Sequence, residues 1–370
     1  MEPTPLTPAE LNHLHQCFPW EIYALSRIDQ ASGVLICYGR LRVSAAEAYW
    51  VVGQNIQSLL GQRFWLILEP NADQKPVFVL VPRRLTAPNP YGWLVGLGSL
   101  GLGLFTTMTL TAPHLGISAP LGWMYGLGVL VILGAREVGQ RWGLRSYGVG
   151  SGWPWVIPLP IWPGVLSSYS SLREPLPHRR AVADRTLLGL GLALGVTLLL
   201  LLWGLGDSYP TAGGFLPDYS LLVWGLSRWR WGAALTPGMG LHLHPLAWAG
   251  VAGLGLLAVQ LTPVGGLDGG RVLHTLVGRR AAQRWGWVTK GLILLLGWQV
   301  QPWLRGWAVL LLLIPNLPPP VLNEVTELDP GRDGLGLLAL GLFLAIILPA
   351  PGFLPRVGWS SAWPALLGWG

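Results

Sequence analysis

Cysteine and lysine are nearly missing from this chain, and charge of either sign is scarce. Of 370 residues two are Cys, and Asp, Glu, Lys and Arg together make up 11%. Cys17 and Cys37 both fall in a polar N-terminal stretch, which excludes a disulfide framework and leaves free thiols. Soluble domains carry about 25% charged residues, so the deficit excludes an ordinary water-facing surface over most of the length. Lysine is confined to Lys75 and Lys290, and the net charge of +7 therefore rests on arginine. The arginines gather in alternate loops between apolar runs, a pattern of membrane orientation and not of nucleic-acid binding. No apolar run of spanning length precedes Tyr91, so no signal peptide is expected.

In place of charge the chain has 51% hydrophobic residues, including 22 Trp, the composition of a polytopic membrane protein. Runs long enough to span, about 17–25 residues each, begin near Tyr91, Leu121, Thr186 and Pro245. Shorter apolar segments lie at 287–300, 303–314 and 334–348. The expected class is mainly α, a helical membrane protein of about six or seven spans. Arg83 and Arg84 precede the first run, Arg141, Arg145, Arg173, Arg179, Arg180 and Arg185 follow the second, and Arg271, Arg279, Arg280, Arg284 and Lys290 follow the fourth. Those ends are expected in the cytoplasm, with Arg228 and Arg230 on the other side.

Residues 1–88 read as a separate cytoplasmic α/β unit and 89–370 as the membrane domain. Short β-branched and aromatic runs at 33–43, 63–70 and 75–84 predict strands. Between the first two, 44–61 opens with Ser44 and Glu47 and continues with helical apolar spacing. Pro and basic residues at 83–90 mark the boundary. The segment near 148–180 is too Trp-rich for a solvated loop and too Pro-broken for a helix. Either it re-enters the membrane and lines a cavity, or it is an interfacial loop anchored by Trp153, Trp155 and Trp162.

The stretch GAREVGQRWG (134–143) holds Glu137 between Arg136 and Gln140. His at those two flanking positions would make the helical pattern of a zinc hydrolase, with the Glu as general base. Further on, LTPVGGLDGGRVL (261–273) offers Asp268 followed by Gly269 and Gly270. In the order of these elements the chain resembles the site-2 protease family of intramembrane, M50-type metalloproteases. Within it, GRLRV, KPVFVLVPRR, HPLAWAGVAGL and VLNEVTEL resemble the plant and cyanobacterial branch of ethylene-dependent gravitropism-deficient and yellow-green proteins. The resemblance implies Glu137 as the general-base position, Asp268 as a metal ligand, Arg136 and Gln140 in place of the two ligand histidines, and Gln260 in place of a substrate-contacting Asn.

Arginine is a cation at any usable pH and cannot coordinate zinc, so no cofactor is expected, and zinc only if the site has been rebuilt. Two behaviours of Arg136 stay open: pairing with Asp268 in the vacated position, or snorkelling to the headgroups. Among the histidines, His242 and His244 could bind metal if extended, and His178 or His274 could replace a lost imidazole, but no spacing supports either. The acidic stretch 323–329 is a solvated loop or a docking surface for the N-terminal unit.

The reading that follows is a catalytically impaired pseudoprotease that holds transmembrane segments of other proteins, in contact with membrane lipids. An edge strand at Val165–Tyr169, with Gln260, Gly269 and Gly270, would contact the guest by strand addition. The alternatives are an active metalloprotease with a rebuilt metal site and a small-solute transporter. The transporter would need a matching pair of interrupted helices in two halves of the chain, and none is visible. The resemblance implies a plasma or thylakoid membrane.

Overall fold

The computed structural model describes residues 8–351 apart from 32, 72, 74, 84–89, 237–238 and 302–303. The N-terminal part runs α1 (Pro8–Leu14), β1 (Tyr23–Ala31), β2 (Val34–Leu41), α2 (Ala45–Leu60), β3 (Phe64–Pro70) and β4 (Pro76–Pro82). Its four strands form one antiparallel sheet in the order β1-β2-β4-β3. Ala48, Val52, Ile56 and Leu60 recur every fourth residue, giving α2 one buried stripe against Leu35, Leu68, Phe78 and Leu80 of the sheet. The Ser44 hydroxyl accepts from the Glu47 N–H at 3.3 Å, which fixes the helix start. At the other end Gly61, with φ +63°, stops it. The helix and three strands lie where the sequence placed them. β1 and α1 were not anticipated, and most of the boundary stretch 83–90 lies outside the described residues.

Among the described residues four helical segments are long and apolar enough to cross a membrane: Gly92–Leu115 (α3), Ala119–Arg145 (α4), Arg179–Gly206 (α5) and, at the far end, Pro330–Ile347 (α11). Between α4 and α5 lies a hairpin of β5 (Trp155–Pro158) and β6 (Val165–Tyr169). The Thr106 hydroxyl of α3 donates to the carbonyl of Gly164 at 2.7 Å and pins the hairpin loop against the membrane helices. After α5 come β7 (Tyr209–Thr211), α6 (Leu221–Trp231), β8 (Gly240–His242), α7 (Pro245–Leu261), α8 (Asp268–Val277), α9 (Arg279–Gln299) and α10 (Leu304–Leu313).

Two expectations shift in detail. The run from Pro245 makes a 17-residue helix buried on nearly every side, so its apolar character reflects a central position among other helices. The run 334–348, expected to be short, is part of an 18-residue helix, because Pro330 and its N-cap Asp329 start it earlier. Helix α4 lies against α5 along two glycines: a Cβ on Gly139 would stand 2.3 Å from the Leu188 carbonyl oxygen, and one on Gly143 2.5 Å from that of Asp184.

The N-terminal sheet docks through its outer edge. Leu68 of β3 donates its N–H to the Leu322 carbonyl at 2.7 Å and accepts from the Glu324 N–H at 2.9 Å. Val325 packs on the same core. The 321–325 segment is also tied to the residues before α5, with the Leu322 and Asn323 N–H groups donating to the Leu176 and Pro177 carbonyls, both at 2.9 Å.

Candidate functional site

Arg136, Glu137 and Gln140 sit on one turn of α4, facing the end of α7 and the first turn of α8. The approach of α8 is set by glycine. A Cβ on Gly269 would lie 1.8 Å from the Leu261 carbonyl oxygen, and one on Gly270 2.4 Å from that of Gly265. With no side chains there, the α8 backbone presses on the end of α7 and its first residue, Asp268, points at α4. Gly269 and Gly270 therefore act from behind Asp268. They are absent from the wall of the adjoining cavity, which Asp268 and Gln260 line.

Asp268 is 1% exposed, Arg136 and Glu137 5% each, and Gln140 2%. The Arg136 guanidinium donates to Asp268 Oδ2 from Nη2 at 2.5 Å and from Nε at 2.9 Å. Its Nη1 donates to the Ser168 carbonyl and hydroxyl, both at 3.2 Å, and stands 3.5 Å from Glu137 Oε1. The Ser168 hydroxyl donates to the same Glu137 oxygen at 2.9 Å. The second Asp268 oxygen, Oδ1, accepts from Arg271 Nη1 at 3.2 Å, one helical turn along α8. Arg185 of α5 donates to Gln140 Oε1 from Nη2 at 3.0 Å and from Nε at 3.3 Å. Gln260 bridges from α7 to the hairpin, its amide donating to the Ser167 hydroxyl at 2.6 Å.

Of the two behaviours open for Arg136, the geometry is that of pairing. The side chain turns inward, and Glu137 and Asp268 meet around it. A guanidinium in so buried a place is tolerable because its donors are met by charge and by carbonyl oxygens, and removing one partner of such a pair costs about 3–5 kcal/mol. Val165 is fully buried in a core with Tyr125 and Val156, whereas Tyr169 is 48% exposed at the cavity rim, its ring edge-on to Trp155. Strand β6 pairs with β5 on one side.

Sequence reasoning passed over Ser168, Arg185 and Arg271. Arg271 was legible, since three residues after Asp268 on a helix is pairing distance. Arg185 and Ser168 carry no such signal, because they reach the site from a separate helix and from the hairpin.

The donor set does not fit zinc. Both Asp268 oxygens are engaged by guanidinium groups, Gln140 is engaged by a third, and Arg136 fills the space between the carboxylates. The histidines lie elsewhere: His242 stacks on Tyr209, His244 and His178 accept from backbone N–H groups at the starts of α7 and α5, and His274 is 2.8 Å from Glu324. Among the described residues no group of three or more His, Cys, Asp or Glu could hold a metal ion.

Comparison with known proteins gives relatives over most of the chain. A protein of Arabidopsis thaliana named probable zinc metalloprotease EGY2, chloroplastic, is 29% identical over 91% of this chain and 64% of its own length. Probable zinc metalloprotease EGY1 of the same plant is 31% identical over 65% of this chain and 45% of its own length. A rice protein of the subspecies indica, named probable zinc metalloprotease EGY3, is 24% identical over 93% of this chain and 64% of its own length. The chain thus spans just under two thirds of the length of the EGY2 and EGY3 relatives it matches. No family model matches the chain, and no solved structure matches it.

Proposed function

We propose, from the premise that this chain is a homologue of the EGY proteins in the site-2 protease family, that it holds membrane-protein segments without cutting them. The observation that carries the reading is the Arg136 guanidinium between Asp268, Glu137 and Ser168. Peptide hydrolysis at such a site needs a water made nucleophilic by a Lewis acid and a free base to take its proton. Here the one carboxylate aimed across the site is bound on both oxygens by cations, and Glu137, whose Oε1 accepts from Ser168 and whose Oε2 has no partner, does not line the cavity where a substrate would lie. Fixed dipoles and charge remain, which suit recognition. A guest segment unwinding at the cavity would lay its backbone along β6, with Gln260 and Tyr169 beside it.

Orientation enters the same proposal. We place the N-terminal sheet in the cytoplasm with the arginine-rich loops. The Leu68–Leu322 pairing supports a common side for the N-terminal sheet and residues 321–325, which calls for an even number of crossings between them. Helices α3, α4, α5 and α7 supply such a number, and α9 with α10 goes out and back as a hairpin. Helix α11 then crosses once more.

The test is photo-crosslinking from Tyr169 in membranes, alongside Glu137→Gln. Holding without cutting gives crosslinks to intact membrane proteins whose yield and size are unchanged in the variant. Shorter products that disappear in Glu137→Gln would show a working protease.

A further inference from the structure

Three guanidinium groups, from Arg136, Arg185 and Arg271, face two carboxylates, Glu137 and Asp268, around a cavity of about 240 Å³. The cluster is therefore one positive charge in excess. An uncompensated charge in a poorly hydrated place is costly, and every charged side chain in this group is at most 16% exposed. The hydrogen-bond inventory leans the same way. Gln140, 2% exposed and on the cavity wall, has an amide nitrogen with no acceptor. Its carbonyl oxygen is held by Arg185, which orients the amide so that the nitrogen is the free end. Within the cluster Glu137 Oε2 is an acceptor without a partner, but Glu137 does not line the cavity. Ser167, Ser168 and Ser170 add hydroxyls to the wall.

We infer that the cavity beside Gln140, Arg185 and Arg271 is an anion site, and that its ligand is a carboxylate. A monoanion closes the charge balance, whereas a phosphate dianion would reverse it. The planar fork of a guanidinium takes a carboxylate in two hydrogen bonds. The volume admits a carboxylate with a few carbons and is below that of a pocket for a drug-sized ligand. Strand β6 runs to the rim at Tyr169, so an extended chain laid along it would present a terminal carboxylate to the arginines. A free small acid carries the same chemistry. The inference rests on the metal-free reading of this site and gives it a ligand class.

Thermal stability of the full chain in detergent tests it, in chloride buffers of constant ionic strength, with zinc content measured on the same preparation. The probes are sodium acetate, the dipeptide acetyl-Ala-Leu with a free carboxyl end, and the same dipeptide as its amide. A saturable rise in Tm with the free dipeptide and not with the amide supports the inference and points to chain ends. A rise with acetate alone supports it with free small acids as the source. Equal effects of acid and amide, or no rise with either acid probe, overturn it. Gln140→Glu places a carboxylate in the same position, so it should raise Tm without ligand and abolish the response to acid probes, and an undiminished response contradicts the assignment. Should that variant fold poorly, Arg271→Gln serves instead. Loss of a charged hydrogen bond should weaken apparent affinity at least about tenfold, and unchanged affinity overturns the inference. Stoichiometric zinc would count against the metal-free reading itself, whereas zinc-free protein with no response to acids removes this inference alone.

Discussion

At the scale of single residues the site turns on Arg136. Its partner Asp268, 1% exposed, has one oxygen held by Arg136 and the other by Arg271. Arg136→Ala should lower stability by about 3–5 kcal/mol, since it strips the charged donors from Asp268 Oδ2 and from Glu137 and leaves Asp268 with Arg271 alone. Arg136→Met with Asp268→Asn should recover part of that loss, so the double-mutant cycle should show coupling of about 1 kcal/mol or more. Additivity within a few tenths of a kcal/mol would mean that the pair is not energetically real. A second residue-scale expectation concerns the thiols. Burial, with a smaller push from Cys17, takes Cys37 from 9.0 up to about 12, and burial raises Cys17 as well. A thiol ionises more readily in the unfolded chain than in this core, so the contribution of Cys37 to stability is full below pH about 9 and is lost as pH rises from there toward 12. Maleimide at neutral pH should label neither cysteine until the N-terminal sheet unfolds, and labelling of native protein would place these thiols outside the core.

At the scale of elements, local signals and long-range ones part company. Helix α2 could be read from Ser44, Glu47 and a four-residue apolar spacing, and β2, β3 and β4 from their β-branched runs, because each signal is contained within its own segment. β1 was not legible. Its sequence YALSRIDQA carries Ser26, Arg27 and Asp29, as suits a strand at the sheet's margin with Arg27 and Asp29 paired at the surface. The carboxylate end of the site could be read because a glycine pair after Asp268 signals close backbone approach. Ser168 and Arg185 could not, since nothing in their neighbourhoods says what they will meet across the fold. Packing of α4 on α5 gives the element-scale prediction. With a Cβ on Gly139 only 2.3 Å from the Leu188 oxygen, Gly139→Ala must push the helices apart, at about 1–3 kcal/mol, and should also displace Gln140 from Arg185. A variant with unchanged Tm would mean that the helices are not in such close contact.

At the scale of the whole molecule, the N-terminal sheet and the apolar helices are joined through residues 321–325, which extend the edge of β3 and hold the start of α5. The Leu68 N–H points away from β4 to reach Leu322, so Leu68→Pro removes a bond of the junction and none of the ladder inside the sheet, and Leu68→Ala, which keeps the N–H, controls for the buried side chain lost with it. Limited proteolysis should then release the N-terminal unit faster while the membrane part stays intact, and an unchanged rate would argue that the junction is held by other contacts. Helices α4, α5, α7 and α8 meet at one buried point, and the central claim is that a guanidinium and not a metal ion occupies it. Zinc stoichiometry tests it most directly, measured on protein purified in detergent, exposed to excess zinc and desalted. The wild-type chain should retain no stoichiometric zinc, whereas Arg136→His with Gln140→His should retain it if Asp268 is still aimed as a ligand. About one zinc per wild-type chain, removable by chelator, would contradict the account.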